Sequence, residues 1–210
     1  HMVGLSDPAA GQVFIDDVDI TSCSDDDFQK TLRKIGVLFQ GSALLGSMTV
    51  AENVALPILE YTELTNRTSN NLVRMKLSMV DLESYENFLP SEISGGMKKR
   101  AGLARAIALD PKILFYDEPS AGLDPVTSAE VDQLIIDLTK KLRVTSVVVT
   151  HEIDSAFTRA DRMCMLDQGR ILKRGSRQEF ETLRDSAPEE LQSEKDKLIR
   201  QFLRGDAEGP

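Results

Sequence analysis

Short apolar runs alternate along the chain with segments whose apolar positions recur every three or four residues. The runs end at turn residues, which is typical of β-strands. The predicted strands are GQVFID near Val13, KIGVLF near Val37, KILFY near Leu114, SVVVT near Val148, RMCML near Met163 and RILKR near Leu172. Helical patterns separate most of these strands. This order predicts an α/β protein with a mainly parallel sheet.

The clearest helical pattern is TSAEVDQLIIDLTKKL. Asp124 followed by Pro125 predicts where it begins, because aspartate caps helices and proline is favoured at their first position. Its apolar residues fall on one stripe: Val131, Leu134, Ile135, Leu138 and Leu142.

Residues 49–90 lie between the second and third predicted strands and have a different character. Apart from the stretch VALPILEY they indicate helix and turn, and we expect an α-helical insertion here. Four apolar residues follow helical spacing: Leu72, Met75, Met79 and Leu82.

The C-terminal tail also has a helical pattern. Ser186 and Glu189 have the spacing of a capping box, which predicts a helix that begins near Ser186. An apolar stripe follows: Leu198, Ile199, Phe202 and Leu203.

Composition limits the possible partners. The 210 residues carry 34 acidic against 25 basic side chains, a net charge of −9. This balance disfavours a nucleic-acid-binding surface and direct docking on an anionic membrane. No apolar run approaches the ~18–20 residues that span a bilayer. Two distant cysteines, Cys23 and Cys164, favour a reducing compartment.

Two carboxylates, Asp117 and Glu118, follow the strand in ILFYDEPSAGLDP. Oxygen ligands suit Mg²⁺, and a neighbouring carboxylate could orient water for attack on phosphorus. The alternative is a salt-bridged or solvated strand end, which is common.

In SEISGGMKKR, Ser94, Gly95 and Gly96 stand before a predicted helix that runs to about Leu109. Free amides at a helix start and the helix dipole together form an anion site. A serine cap followed by flexible glycines is the alternative.

His151 follows a predicted strand in VTHEID. A zinc-protease site would need a second histidine four residues later, where Ser155 stands. A polar sensor at the strand end or a hydrogen-bonded core histidine fits better. The acid-rich FIDDVDITSCSDDD lacks the glycine and closing glutamate of a calcium loop, so it indicates a turn and a helix start.

These motifs occur in one order: Gln40, ISGGM, ILFYDEPS, AGLD and VTH. In this order the chain resembles the ATP-binding cassette (ABC) ATPases over essentially its whole length. The resemblance implies a RecA-like core with an inserted helical subdomain, and a Q-loop at Gln40. The signature motif would lie at Ser94-Gly95-Gly96, the Walker B strand end at Asp117-Glu118, the D-loop at Asp124 and the switch histidine at His151.

The resemblance also implies roles for these residues with ATP and Mg²⁺. Asp117 would hold Mg²⁺, Glu118 would be the general base, and Gln40 would touch the metal and the attacking water. His151 would contact the γ-phosphate. In a head-to-tail dimer, Ser94, Gly95 and Gly96 would meet the partner's nucleotide, and Asp124 would bridge the subunits.

A narrower resemblance rests on SMTVAENVALPILE, YDEPSAGLDPVTS and the ending FLRGDAEGP. These segments look like the ATPase subunit of Mla-type lipid transporters, also called toluene-tolerance or Mce-associated importers. The implied partners are a second ATPase subunit and a membrane permease, with phospholipid or a related lipid as cargo. The implied location is the cytoplasmic face of the cell membrane. A non-transport ABC protein and a non-catalytic interaction module remain alternatives.

The phosphate loop G-x-x-x-x-G-K-[ST] is missing from the sequence, which has no Gly-Lys dipeptide. GSALLGS, Gly41 to Ser47, has the glycine spacing, but Ser47 replaces the lysine and the segment follows Gln40. The resemblance places the loop strand, the loop and most of its helix ahead of residue 1, with Val3-Gly4-Leu5 as that helix's last turn. Losing about five charge-assisted bonds to phosphate removes more than about 7 kcal/mol, so this chain alone should not bind ATP.

We therefore expect an N-terminally truncated ABC ATPase domain. Residues 1–40 and 91–175 would form its core, 41–90 the helical subdomain and 176–210 a helical tail. Sheet edges and apolar surface left uncovered by the missing strand and helix should make the isolated chain self-associate.

Overall fold

The structure is a computed structural model that describes residues 1–191 and 193–206. The last four residues of the FLRGDAEGP segment therefore lie outside the described residues. The chain divides into two compact units, His1–Thr150 and His151–Pro210.

A parallel sheet of three strands organises the first unit. Strands β3 (Ile35–Leu38), β4 (Ile113–Asp117) and β5 (Thr145–Val149) pair in that order, with Ile35 beside Ile113 and Tyr116 beside Val148. The central strand β4 buries three successive side chains, as a strand covered on both faces does. Its carboxyl end carries Asp117 and Glu118.

The rest of the first unit is mainly helical. Its helices are α1 (Asp25–Leu32), α2 (Val50–Tyr61), α3 (Asn66–Ser78), α4 (Gly95–Ala106) and α5 (Pro125–Leu142), with short 3-10 helices at Glu83–Tyr85 and Pro90–Glu92. One apolar core joins the sheet to helices α2 to α5 and includes Leu38, Ile58, Leu77, Leu103, Leu114 and Ile135. The α/β fold class, the helical insertion after β3 and the start of α5 at Asp124-Pro125 are confirmed.

VALPILEY is helical, which the sequence analysis did not predict. A capping box between Thr49 and Glu52 starts α2, and the helix continues through Pro57 to Tyr61. Its buried positions include Val50, Val54 and Ile58 at helical spacing, so tertiary packing overrides the helix-breaking tendency of proline.

The stripe predicted over residues 72–82 is confirmed at Leu82, which is buried, and at Leu72 and Met79, which pack against the core, and it is wrong at Met75. Met75 is 49% exposed, and the buried face of α3 is Ser69, Val73, Lys76 and Leu77. Lys76 is buried because its ammonium pairs with Asp110, at the turn before β4. The ion pair satisfies the charge on this buried face.

The N-terminal segment also differs from the expectation. Val3, Gly4 and Leu5 form a turn and a bend rather than the last turn of a helix. Downstream, strands β1 (Phe14–Ile15) and β2 (Val18–Asp19) pair as an antiparallel hairpin, so the GQVFID strand is shorter than predicted.

In the second unit, α6 (Ile153–Arg159) precedes an antiparallel hairpin of β6 (Arg162–Asp167) and β7 (Arg170–Ser176), and α7 (Arg177–Asp185) and α8 (Glu194–Arg204) follow. Its core contains Phe157, Phe180, Ile199 and Leu203.

The predicted capping box at Ser186 is wrong. Ser186 ends α7, and its hydroxyl donates to the Thr182 carbonyl, so a turn and a 3-10 helix separate it from α8. The actual capping box of this unit joins Ser176 and Glu179 at the start of α7. Within the described ranges, no helix is long and apolar enough to cross a membrane.

Candidate functional site

Glu118 occupies an uncommon backbone conformation directly after β4. Its φ angle is +45°, in the left-handed region, which costs a non-glycine residue about 1–3 kcal/mol and persists only when the surroundings hold it. The Glu118 amide donates to the Val149 carbonyl at 2.9 Å, and its own carbonyl accepts from the Ala121 amide at 3.2 Å. The Thr150 hydroxyl donates to Glu118 Oε2 at 3.3 Å, which orients the carboxylate.

Asp117 is the last residue of β4 and is exposed. It lies at the carboxyl end of a parallel sheet, where open α/β folds bind their ligands. Among the described residues there is no cluster of three or more metal-ligating side chains. Mg²⁺ in phosphoryl-transfer sites needs only one or two carboxylates, because substrate phosphates and water supply the other ligands. An exposed Asp117 therefore fits Mg²⁺ that arrives with a nucleotide.

Gln40 follows β3, the strand next to β4. The buried ammonium of Lys99 in α4 donates to the Gln40 carbonyl at 2.6 Å and to the Glu118 carbonyl at 3.0 Å. The structure thus brings the predicted Q-loop residue and the predicted base together through a third side chain.

Ser94 caps α4, and its Oγ accepts from the Met97 amide at 3.2 Å. The Ser94 carbonyl accepts a hydrogen bond from the Lys98 amide at 2.9 Å. The amides of Gly95 and Gly96 have no acceptor among the described residues. The Ser94 hydroxyl can accept from Met97 and still donate outward. The outward hydroxyl and the two glycine amides could bind a phosphate oxygen. Ser94 also caps α4, so the two interpretations given in the sequence analysis are compatible.

The starts of α4 and α5 are packed against each other. A β-carbon on Gly96 would lie 2.5 Å from Thr127 Cγ2, and one on Gly95 would lie 3.3 Å from Leu123. Asp124, one turn away, caps α5 and accepts from the Val126 and Thr127 amides, both at 3.1 Å. The hydrogen bonds from the Thr127 side chain and amide lower the pKa of Asp124.

The segment Gly41–Ser47 does not have the character of a phosphate loop. Ser42 and Ala43 adopt positive φ angles of 61° and 47°, and their carbonyls accept from the Arg105 guanidinium at 2.7 and 2.8 Å. A phosphate loop instead turns its amides inward. Burial lowers the pKa of Arg105, which remains a cation.

Sequence reasoning missed Lys99, Thr150 and Arg105. The sequence signal for Lys99 was its spacing, because Gly96, Lys99 and Leu103 fall on one helical face. The structure buries this face. His151 follows Thr150 in the chain and begins the second unit.

Comparison with known proteins defines the class. The profile of the family described as "ABC transporter" matches residues 1–121, more than half of the chain. The chain belongs to the ABC transporter family.

Solved cassettes have the same fold as this chain. The dimeric post-hydrolysis state of the ATP-binding cassette MJ0796 with ADP and Pi has a TM-score of 0.74 at 32% identity, covering 83% of this chain and 76% of that one. The cbiO1 protein of Clostridium perfringens has a TM-score of 0.76 at 27% identity, covering 85% and 70%.

Two groups of relatives lie closer in sequence. The "Intermembrane phospholipid transport system ATP-binding protein MlaF" of Escherichia coli K12 is 38% identical over 203 residues, 97% of this chain and 71% of that protein. The "Probable ribonucleotide transport ATP-binding protein mkl" of Mycobacterium tuberculosis H37Rv is 41% identical over 209 residues, all of this chain but 55% of its relative. The chain thus spans little more than half of the mycobacterial protein. The resemblance to Mla-type ATPases is confirmed.

Proposed function

We propose that this chain belongs to the nucleotide-hydrolysing subunit of an ABC transporter that moves phospholipid or a related lipid, and that the chain is inactive alone because its sequence has no phosphate loop. The observation that carries the proposal is the strained backbone of Glu118, which Val149, Lys99 and Ala121 hold at the carboxyl end of the central strand. Strained residues fixed from several sides are typical of catalytic positions.

In this proposal Glu118 takes the proton of an attacking water, with Thr150 orienting its carboxylate. Gln40 contacts the same water and the metal, and His151 the terminal phosphate. Asp117 would hold Mg²⁺, which neutralises phosphate charge when bound.

The assembly is proposed as a head-to-tail homodimer bound to a membrane permease on the cytoplasmic side. Ser94, Gly95 and Gly96 would donate to the nucleotide held by the partner subunit, and Asp124 would lie near the subunit boundary. The dimeric state named for MJ0796 and its similarity to this chain support the homodimer. Closure on ATP and reopening after hydrolysis would move the helical segment 41–90 against the permease.

Tests of activity need a phosphate loop. We define the loop-restored form as this chain with a strand, a G-x-x-x-x-G-K-[ST] loop and its helix, taken from E. coli MlaF, joined ahead of residue 1. Magnesium-dependent ATP hydrolysis by this form, abolished by Asp117→Asn, supports the proposal. A stable, folded loop-restored form that binds ATP without hydrolysing it would contradict it.

The cargo has two candidates, because the names of the relatives differ. The MlaF names state phospholipid, whereas the mkl names state ribonucleotide. We favour lipid, which the segments SMTVAENVALPILE and YDEPSAGLDPVTS already indicated. Reconstitution of the loop-restored form with its permease in vesicles, with ATPase rate measured against added phospholipid or ribonucleotide, separates the two. Stimulation by ribonucleotide alone would reject the lipid assignment.

A further inference from the structure

Of the two lysines in SEISGGMKKR, Lys98 and Lys99, only Lys99 is buried. Its side chain is 5% exposed and joins two backbone carbonyls from separate segments, that of Gln40 at 2.6 Å and that of Glu118 at 3.0 Å. Gln40 and Glu118 follow neighbouring strands, and the Glu118 carbonyl also accepts from the Ala121 amide at 3.2 Å.

We propose that Lys99 is a positioning residue that sets the separation between Gln40 and Glu118, the two residues that orient water in the proposed ATPase. The inference rests on the proposed function for its catalytic meaning. In this role Lys99 acts through the backbone carbonyls of Gln40 and Glu118.

The chemistry of the bonds supports this role. A buried ammonium is stable only when its donors are used, and hydrogen bonds from a cation to a carbonyl are stronger than neutral ones. At Glu118 the bond also opposes the cost of the left-handed backbone, so releasing it should let the carboxylate shift. A displacement of about 1 Å at a reacting group can cost about 100-fold in rate.

The same helix holds the Gln40 segment at a second point. Arg105, almost two turns beyond Lys99 in α4, binds the Ser42 and Ala43 carbonyls. The turn after β3 is therefore attached to α4 at both of its ends.

Helix α4 also begins at Ser94, where the proposed contact with the partner's nucleotide lies. Lys99 stands about 6–8 Å further along the helix, at a rise of about 1.5 Å per residue. A shift of the α4 start would thus be transmitted by Lys99 to Gln40 and Glu118. Occupancy of one nucleotide site would in this way adjust the water-orienting pair of the other.

The test compares Lys99→Met, which removes the donors but keeps the shape, with Lys99→Gln, which retains two N–H donors on a shorter stem. Lys98→Met is the matched control, since Lys98 is a neighbouring lysine of α4 with no side-chain bond within the described residues. Hydrogen–deuterium exchange on the chain as given tests whether Lys99 holds the Gln40 and Glu118 segments, and it needs no ATPase activity. We expect at least about ten-fold faster exchange at the amides of residues 40–43, Glu118, Ser120 and Ala121 in Lys99→Met only. Unchanged exchange there would overturn the proposal.

The catalytic arm uses the loop-restored form, with kcat normalised to the nucleotide-binding fraction and with the melting temperature recorded. We expect Lys99→Met to lower kcat about 10- to 100-fold with KM for ATP nearly unchanged, and Lys99→Gln to recover part of it. A fall in melting temperature with normal kcat per folded molecule would mean a structural role only and reject positioning. If the loop-restored parent itself does not hydrolyse ATP, the proposed function fails, while the exchange experiment still decides whether Lys99 holds the two segments.

Discussion

A β-carbon on Gly96 would lie 2.5 Å from Thr127 Cγ2, so helix α4 has no room for a methyl group where Gly96 meets Thr127 of α5. Replacing Gly96 with alanine should destabilise the fold by about 1–2 kcal/mol, because overpacking outweighs the better helix propensity of alanine. The melting temperature of the purified chain measures this.

The double variant Gly96→Ala/Thr127→Ser supplies the control, since serine lacks the clashing methyl group. It should regain most of the lost stability, as expected for two residues in direct contact. Gly46→Ala, where an added β-carbon meets nothing within 4 Å, should change little. Equal losses in the single and double variants would mean that the contact with Thr127 is not the cause.

Local patterns predicted the parts of the fold that depend on short-range chemistry. Asp124-Pro125 fixed the start of α5, and Ser94 the start of α4, because capping needs only neighbouring residues. VALPILEY could not be predicted as helix, since the burial of Val54 and Ile58 outweighs Pro57.

The candidate site was predictable only in part, because some of its contacts join residues that are far apart in the sequence. Asp117, Glu118 and Gln40 stand out at strand ends. The Lys99 and Arg105 bonds join residues about 20 to 60 positions apart, and such long-range pairings leave little trace in local periodicity.

The charge of Asp124 should stabilise the fold in a pH-dependent way. Hydrogen bonds from the Thr127 side chain and amide lower its pKa below the ordinary 3.8. A carboxylate with a lowered folded-state pKa stabilises the protein above its ordinary pKa, and this contribution is lost as pH falls through the lowered value. Asp124→Asn keeps a capping oxygen but no charge. It should melt below the parent at neutral pH, and the two melting curves should converge on acidification. A difference that persists in acid would show that charge is not involved.

Ser94→Arg should distinguish ATP binding by the monomer from ATP-dependent dimerisation. In the loop-restored form we expect normal ATP binding to the monomer and loss of ATP-dependent dimers, because the arginine would fill the space of the partner's phosphate. Sedimentation velocity with and without ATP measures this. Ser91→Arg, at an exposed position in the neighbouring 3-10 helix, is the matched control and should still dimerise. Equal loss of monomer binding in Ser94→Arg would place Ser94 in its own chain's site.

The chain as given should self-associate at micromolar concentration. Strand β5 is the last strand of its sheet in the described ranges, and Val149 on it is 55% exposed. Open sheet edges recruit other strands, and a charge on the edge blocks them. Val149→Lys should therefore lower the mass measured by light scattering, whereas Val126→Lys, an exposed position in α5, should not. A monomeric parent would reject this prediction.

ATP binding by the chain as given should be undetectable at micromolar nucleotide, because its sequence has no phosphate-loop lysine. Isothermal titration with Mg-ATP checks this, with the loop-restored form as the positive control. Micromolar affinity in the chain as given would mean that residues other than a phosphate loop hold the nucleotide.

The role of Glu118 is tested most directly by Glu118→Gln in the loop-restored form. The carboxylate acts on water whereas phosphate binding rests on the loop and Mg²⁺, so this variant should bind ATP normally and form stable ATP-dependent dimers. Single-turnover hydrolysis within these dimers is the decisive measurement. We predict that its rate falls at least about 100-fold relative to the parent, as loss of a general base requires. Hydrolysis at a near-parental rate would contradict the assignment of Glu118 as the base.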